Sequence, residues 1–425
     1  MSTLKVNKLR DTAGSADAIT LDPNGGAVLA GVTTVTSVKV GAAVTISESG
    51  IEASGIGITV ANINGGQISG RRNIIINGAM NVAQRGTSST TSGFGSVDRF
   101  AVYSGSVDEA PTHEQVDVAS GTSPYTSGFR KALKVTNGDQ SNGAGTSDYI
   151  LVRTTIEAQD IANSGWNYTS TSSFLTFSFW IKSSVAQNFH GHIRAHDGGY
   201  NYPFETGSLS ADTWTKVIKT IPGNSNLAFD HNTEAGLAIN FAAFFGTDYT
   251  SGVSNDEWIN YASANLTPDQ TATWYTTNDA TLEITGVQLE VGSQATAFEH
   301  RSIGELSLCQ RYFYMHANGQ FDLSSTDRCP IGLGYGYTTT DGYVFVTFPT
   351  RMRSNPSLYK VVGTDYFNFA YNNNNGYPND ISANRVSNQV CELNFHTGSS
   401  WDQNAAGMFR TYNTAARIGF DAELS

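Results

Sequence analysis

The sequence predicts an all-β protein. Short apolar runs alternate with segments rich in Gly, Ser, Thr and Asn, at the spacing of strands and turns. The chain of 425 residues contains 43 Gly and only 15% charged residues. It shows no long helical periodicity, so strands must supply the core. The pattern divides the chain into five parts: an N-terminal segment (1–20), a shaft (21–72), a sandwich (73–300), a linker helix (301–317) and a tip (318–425).

Residues 31–46 show the clearest strand pattern, because Val, Thr, Ala and Ile occupy every second position. No Phe, Tyr or Trp precedes Phe94, so residues 21–72 lack the bulky side chains that usually fill a core. Disorder is one interpretation, favoured by the Gly and Ser content. We favour a shaft in which three copies of the chain wrap around one another, since small side chains suit a crowded axis and symmetric homo-oligomers are common.

Residues 73–300 contain the patterns of a two-sheet sandwich of jelly-roll type. The run FLTFSFWIK at 174–182 carries aromatic side chains on both faces, as expected for an inner strand. In TLEITGVQLEV at 281–291 the apolar phase changes at Gly286, which predicts a β-bulge. Turn-rich segments separate these runs at strand-like intervals.

Residues 301–317 predict a short helix that leads into a second β domain. Ser302 and Glu305 form the S-x-x-E pattern of a capping box before Leu306 and Leu308. Alternation then returns, for example in YVFVTFP, and predicts a smaller C-terminal β tip domain over residues 318–425.

The charge distribution argues against nucleic acid as a partner. The net charge is −12, and residues 73–300 hold ten Lys and Arg against 22 Asp and Glu. Phosphate binding requires a basic footprint. No apolar run approaches the ~20 residues of a membrane span, so we expect neither membrane insertion nor a secretory signal. Three widely spaced Cys favour folding in a reducing cytoplasm over a disulfide framework.

Four motifs, in this order along the chain, resemble those of bacteriophage tail-fibre proteins, including fibres of marine phages that infect cyanobacteria. They are RRNIIINGAMNVAQRGTSS at 71–89, LTFSFWIKSS at 175–184, ITGVQLEVGSQATAFEHRS at 284–302 and ELSLCQRYF at 305–313. The resemblance implies a homotrimeric fibre in the virion tail, synthesised in the host cytoplasm. Its N-terminus would join a tail adaptor or hub protein, with Leu4, Val6 and Leu9 as apolar contacts. The resemblance also implies a sandwich similar to carbohydrate-binding modules and C-terminal heads that face the host.

The stretch TDYFNFAYNNNNGYPND at 364–380 has the chemistry of sugar recognition. Tyr rings offer flat faces to sugar C–H groups, and amides and carboxylates bond hydroxyl groups. A solvated turn with core aromatics is the alternative interpretation. We assign receptor binding to Tyr366, Tyr371, Asn373, Asn374, Tyr377, Asp380 and Trp401. A second stretch at 254–279 carries further aromatics, for which we favour packing in the sandwich core; they are Trp258, Tyr261, Trp274 and Tyr275.

The sequence predicts a tail fibre that mediates host adsorption by binding host cell-surface polysaccharide, without catalysis. The alternative is a tailspike-type depolymerase. Glycan hydrolysis needs two carboxylates close together, and adjacent residues such as Asp256 and Glu257 would point to opposite faces of a strand. His190, His192 and His196 share one strand face and could hold a metal, but ordinary strand residues explain them more simply. We assign no catalytic residue, metal or cofactor.

Overall fold

The computed structural model describes residues 71–425 except 302–303, 320–327, 398–399 and 425, together with the backbone of six short strands between residues 8 and 53. The chain forms two compact units, residues 1–61 and 62–425. Strands dominate both units, which confirms the predicted all-β class. Across the described residues, no helix has the length and apolarity needed to cross a membrane.

The first unit contains two three-stranded antiparallel sheets. Its strands are β1 Lys8–Leu9, β2 Ile19–Leu21, β3 Ala27–Leu29, β4 Ser37–Val40, β5 Val44–Ser47 and β6 Gly50–Ala53. The run at 31–46 is therefore not one extended strand, because β4 and β5 pair antiparallel with Val40 opposite Val44. In this register even-numbered residues pair with even-numbered residues. The period-two pattern therefore has the same phase in β4 and β5 and could not show that they are separate strands.

The trimeric shaft predicted for residues 21–72 requires contacts between chains and stays a prediction. Within one chain, β2 pairs with both β1 and β3, and β5 pairs with both β4 and β6. Of the three predicted tail contacts, Leu9 lies in β1, whereas Leu4 and Val6 lie outside the described residues.

The second unit begins with a β-sandwich of two six-stranded antiparallel sheets. Its strands are β7 Ser88–Ser89, β8 Ala101–Gly105, β9 Thr112–Asp117, β10 Lys131–Thr136, β11 Tyr149–Glu157, β12 Phe174–Ser183, β13 Asn188–Ala195, β14 Tyr200–Ser208, β15 Thr215–Pro222, β16 Ala235–Phe245, β17 Ile259–Asn260 and β18 Thr281–Val291. The β12 sheet has the order β15-β12-β18-β10-β9-β7, and the β16 sheet has the order β17-β14-β13-β16-β11-β8. The helices α1 Ser123–Thr126 and α2 Ala158–Ala162 lie between strands.

Aromatic side chains from both sheets fill the space between them. Phe177 and Phe179 of β12 alternate with outward residues and are fully buried, as the inner-strand pattern predicted. Phe179 meets Phe241 of the opposite sheet edge to face, with ring centroids 4.9 Å apart, and Phe177 meets Phe204 at 5.6 Å. The predicted bulge is confirmed, because the β12–β18 register shifts beside Gly286, whose φ is 63°.

A short helix, α3 Glu305–Gln310, follows the sandwich. Its N-cap is Gly304, and the Glu305 carboxylate accepts a hydrogen bond from the backbone N–H of Asn77. Ser302 of the predicted capping box lies outside the described residues. The predicted linker segment 301–317 also contains the start of the next strand. Cys309 is buried beside Ile76, and burial raises the pKa of its thiol well above the ordinary value, as expected for a packed rather than reactive cysteine.

The tip contains a three-stranded sheet, β19-β28-β22, and a seven-stranded sheet, β24-β23-β27-β20-β21-β26-β25, both antiparallel. Their strands are β19 Phe313–Asn318, β20 Pro330–Gly336, β21 Asp341–Thr347, β22 Ser357–Val361, β23 Phe367–Tyr371, β24 Asn374–Gly376, β25 Pro378–Val386, β26 Val390–Thr397, β27 Ala406–Thr411 and β28 Arg417–Asp421. Val344, Val346 and Phe348 share one buried face, as their alternation predicted.

Charged side chains are buried where the tip meets the sandwich. The Glu423 carboxylate contacts the guanidinium of Arg99 and lies 3.4 Å from Nη1 of Arg85. Arg99 also donates to the carbonyl of Thr155, and its guanidinium carbon lies 3.4 Å from the ring centroid of Tyr312. Only 2% of the Arg99 side chain and 4% of the Glu423 side chain are exposed. This buried network holds the end of the tip against the sandwich.

Candidate functional site

The outer face of the β16 sheet carries an apolar cluster separate from the sandwich core. In β11, Ile150 points into the core, so Tyr149 and Leu151 lie on the outer face. The register places Leu151 beside Tyr103 of β8 on one side and Ala242 of β16 on the other. Three adjacent strands therefore supply one continuous outer surface.

Aromatic side chains enclose this surface and form a groove of about 280 Å³, which we call the tyrosine groove. Tyr149 and Tyr249 meet edge to face with ring centroids 5.5 Å apart, and Phe245 lies 5.7 Å from Tyr249. The backbone N–H of Tyr261 donates to the carbonyl of Gly199 at 2.8 Å, which fixes the loop on the far side. The groove is lined by Tyr103, Tyr149, Leu151, Arg153, Phe245, Tyr249, Tyr261, Ser263 and Leu266.

Buried polar groups lie beside the groove on β11, β13, β14 and β16. Nε of Arg153 donates to Oδ1 of Asn240 at 2.7 Å. Nδ2 of Asn201 donates to the carbonyl of Leu266 at 2.9 Å, so its Oδ1 faces Nδ1 of His192, 2.7 Å away. Because that oxygen can only accept, the proton lies on Nδ1 and Nε2 is an acceptor. Burial lowers the pKa of His192 to about 3, so the ring is neutral at pH 7.

Two guanidinium groups lie over tyrosine rings on this face. The guanidinium carbon of Arg194 is 3.8 Å from the ring centroid of Tyr261, and that of Arg153 is 5.2 Å from the ring centroid of Tyr103. Burial lowers the pKa of Arg153, and the positive charge of Arg194 lowers it further. The outer face therefore combines tyrosine rings with planar cationic donors.

This combination suits the binding of a sugar. Aromatic rings bind the apolar C–H faces of pyranose rings, while guanidinium and hydroxyl groups can bond ring substituents. Among the described residues that line the groove, none is Asp or Glu. Hydrolysis of a glycosidic bond requires a pair of carboxyl groups.

His190 and His192 lie on the same outer face, as their shared parity predicted. His190 lies in β13 two residues before His192, and His196 follows the end of that strand. Burial lowers the pKa of His196 to about 4. Within the described ranges, no three His, Cys, Asp or Glu side chains are grouped as a metal site would need.

Two of the seven residues predicted to bind receptor lie in the core of the tip. Nε1 of Trp401 donates to the carbonyl of Thr338 at 2.9 Å, and its ring meets Phe369 edge to face at 5.3 Å. Tyr371 stacks on the same Phe369 at 4.9 Å, and its hydroxyl accepts from the backbone N–H of Asp402 at 3.3 Å. Neighbouring side chains cover the faces of these two rings, so both rings pack in the core of the tip.

Two further predicted residues belong to a tight hairpin. Strands β23 and β24 are joined by Asn372 and Asn373, whose φ angles are 41° and 61°. Two consecutive left-handed residues are typical of a type I′ turn, which Asn adopts more readily than most residues. Asn374 opens β24, and all three side chains are exposed. The asparagine run therefore has a structural explanation as a turn.

The remaining three predicted residues lie elsewhere on the tip surface. The carbonyl of Tyr366 accepts from the backbone N–H of Tyr412 at 2.8 Å, and the Tyr377 ring lies 5.2 Å from the Tyr412 ring, so the structure brings Tyr366 and Tyr377 close to one residue. Asp380 is exposed and pairs with Nζ of Lys360 at 2.5 Å. Receptor binding by these surface residues stays a prediction.

Sequence reasoning missed most of the tyrosine groove. Tyr261 was noted within the stretch at 254–279, but as a residue of the core. Trp274 and Tyr275 of that stretch are indeed buried in the core. The signal that could have found the groove is in YILVR at 149–153, where Tyr, Leu and Arg occupy the face opposite Ile and Val.

No protein-family model and no curated protein matches this chain. Among solved structures, it is similar to the enzymatically active domain of tailspike protein 4 of bacteriophage CBA120, with 8% identity and a TM-score of 0.27 over 52% of this chain and 21% of that chain. It is also similar to a family 4 carbohydrate-binding module (13% identity, TM-score 0.25, 51% and 97% of the two chains) and to a family 11 module from Clostridium thermocellum (14%, 0.23, 50% and 98%). This chain thus spans about a fifth of the tailspike domain.

Proposed function

We propose that this protein is a phage tail-fibre component that adsorbs to a host by binding a surface polysaccharide in the tyrosine groove. The groove itself carries the proposal, since Tyr149, Tyr249 and Tyr261 surround an open cavity that also contains Arg153. Rings with one free face and planar donors are what a pyranose requires, and loops and sheet faces that expose such groups commonly bind ligands. The order of the fibre-like motifs along the sequence supports the assignment to a tail.

The groove is tested by measuring the adsorption of the purified protein to host cells and to their extracted polysaccharide. Tyr249→Ala and Tyr261→Ala should each weaken binding roughly 10-fold, because each removes one stacking surface. Tyr337→Ala, an exposed tyrosine of the tip, is the matched control and should bind as the parent does. Full binding by both groove variants together with a loss in the control would move the site to the tip.

Binding without cleavage is the second part of the proposal. It is supported by the lining of the groove, in which Arg153 is the charged side chain. A depolymerase would need two carboxyl groups beside the bound chain. Incubation with host polysaccharide should leave its size distribution unchanged on gel filtration. Progressive shortening of the polymer would instead favour the tailspike-type enzyme.

We also propose the homotrimer, for which the seven-stranded sheet of the tip offers independent support. On its outer face, Leu333 is opposite Met408, and Tyr335 is opposite Tyr343. The β20–β21 register pairs Gly334 with Val344, so its continuation by one residue places Phe345 next to Leu333. Leu333 is 75% exposed and Phe345 is 63% exposed. Contiguous exposed apolar residues of this kind favour association with another protein surface.

The trimer is tested by light scattering on the purified chain, which should give three times the 45.5 kDa chain mass. Phe345→Glu should shift the mass toward smaller species, because it places a charge within the apolar face. Ile218→Glu changes an exposed apolar residue of β15 and is the control. A monomeric mass for the parent protein would overturn the trimer. In that case a single copy of the N-terminal segment, not three, would bind a tail adaptor or hub protein.

A further inference from the structure

The two arginines of the outer face lack a counter-charge. Nε of Arg153 donates to Asn240, and no described residue accepts from its terminal Nη groups. The Arg194 guanidinium lies on Tyr261, and its buried Nε has no hydrogen-bond partner among the described residues. Neither guanidinium lies within ion-pair distance of a carboxylate in the described part of the chain. Two cationic side chains therefore lie half-buried and unpaired on one face.

Two other guanidinium groups of the same unit are paired with carboxylates. Arg99 contacts Glu423, and Nε of Arg311 lies 2.6 Å from a carboxylate oxygen of Glu157. This pairing is expected, because removing a cation from water without a partner is unfavourable. Residues 73–300 contain more than twice as many acidic as basic residues, so carboxylates are abundant in the domain. Arg153 and Arg194 have no such partner among the described residues.

The pKa values of two neighbouring histidines reflect the positive charge of these arginines. Burial, with the charges of Arg153 and Arg194 acting in the same direction, lowers the pKa of His192 to about 3. Burial is the main cause of the lowered pKa of His196, and the same two arginines lower it as well. Because both rings stay neutral at pH 7, the arginines supply the positive potential of this face, and a bound anion would complete it.

We infer that the tyrosine groove selects an acidic glycan, in which a carboxylate of the sugar lies against Arg153 and Arg194 while the sugar ring lies against the tyrosines. The inference rests on the proposed function and names its ligand class. Arginine binds carboxylates through two parallel N–H donors, and Arg153 retains both Nη groups for this contact because only its Nε is engaged.

The inference is tested by binding measurements on a panel of bacterial acidic polysaccharides, each in its native form and after reduction of its carboxyl groups to alcohols. Dextran sulfate and a neutral β-glucan complete the panel. We expect the native form of at least one pair to bind 10- to 100-fold more tightly than its reduced form, as a charge-assisted contact implies. The difference should shrink as salt is raised.

Arg153→Gln and Arg194→Gln should each abolish most of the preference for the native form. Arg130→Gln is the matched control, because the Arg130 guanidinium also lies over a tyrosine ring, that of Tyr125, at 3.9 Å but outside the groove. Equal binding of native and reduced forms, lost in Tyr249→Ala, would overturn the acidic specificity and leave the proposed glycan binding intact. Binding of dextran sulfate alone would overturn the assignment of a carboxylate as the group that the arginines bind. No binding to any member of the panel would overturn both proposals.

Discussion

Acidification from pH 7 to pH 5 should destabilise the sandwich through His192. Its pKa is lowered to about 3 in the folded protein by burial, with the charges of Arg153 and Arg194 acting in the same direction. The hydrogen bond to Asn201 opposes this shift without cancelling it. In the unfolded chain the imidazole returns to its ordinary pKa of about 6.5.

The sign follows from proton binding. Below pH 6.5 the imidazole binds a proton in the unfolded state but not in the folded state. The free energy of unfolding therefore falls as the pH falls. Between pH 7 and pH 5 the loss is about 2 kcal/mol for this one group. His196 acts in the same direction. Asp98 acts oppositely, because burial raises its pKa to about 6 and folded Asp98 gains a proton over the same range.

A variant separates His192 from these other groups. His192→Asn retains an N–H donor for Asn201 but does not titrate, so its free energy of unfolding should fall about 2 kcal/mol less than that of the parent between pH 7 and pH 5. Urea denaturation followed by tryptophan fluorescence measures both proteins at both pH values. His231→Asn, at an exposed histidine, is the control. An NMR titration that places the His192 pKa near 6.5 would refute the reasoning.

Three further pairs of variants test charge, packing and backbone conformation. Glu423→Gln should lower the free energy of unfolding by about 3–5 kcal/mol in denaturant titrations, because it leaves the buried Arg99 guanidinium without a carboxylate partner. Asp380→Asn should cost under about 1 kcal/mol, because its pair with Lys360 is exposed. Gly286→Ala should lower the thermal midpoint, since its φ is 63° and a Cβ would lie 2.7 Å from a buried ring, while Gly252→Ala, with open space around it, should be neutral. Asn373→Gly should be tolerated and Asn373→Val should destabilise the tip, because the turn needs a positive φ; equal midpoints for the two variants would exclude this explanation.

The period-two pattern of apolar side chains predicted individual strands. The run around Phe177 was predicted as an inner strand, and the phase change at Gly286 as a bulge, because each depends on neighbours within one strand or one pair. Alternation could not separate β4 from β5, since their register keeps the same parity on both sides. Local pattern therefore predicts where side chains point but not where a strand turns back.

The candidate site was beyond the reach of the same reasoning. Tyr103 and Tyr261 are more than 150 positions apart in the sequence, and they line one groove only because the strand order places β8, β11 and β16 side by side, with the loops of β16 and β17 above them. The asparagine run, in contrast, is visible as a local cluster but serves as a turn, because Asn372 and Asn373 supply its left-handed backbone. A local density of Tyr and Asn therefore has a structural explanation here, and receptor binding at 364–380 stays a prediction.

Groove size and self-association bear on one another. A groove of about 280 Å³ is at the small end of ligand sites, so it would hold a short stretch of a polysaccharide and bind it weakly. Three copies on one fibre would raise the apparent affinity for a surface that repeats the epitope, but not for a short oligosaccharide that engages one groove. Phe345→Glu should therefore leave the oligosaccharide dissociation constant unchanged in calorimetry while it weakens adsorption to whole cells. Tyr249→Ala should weaken both, and a Phe345→Glu protein that adsorbs as tightly as the parent would show that a single groove suffices.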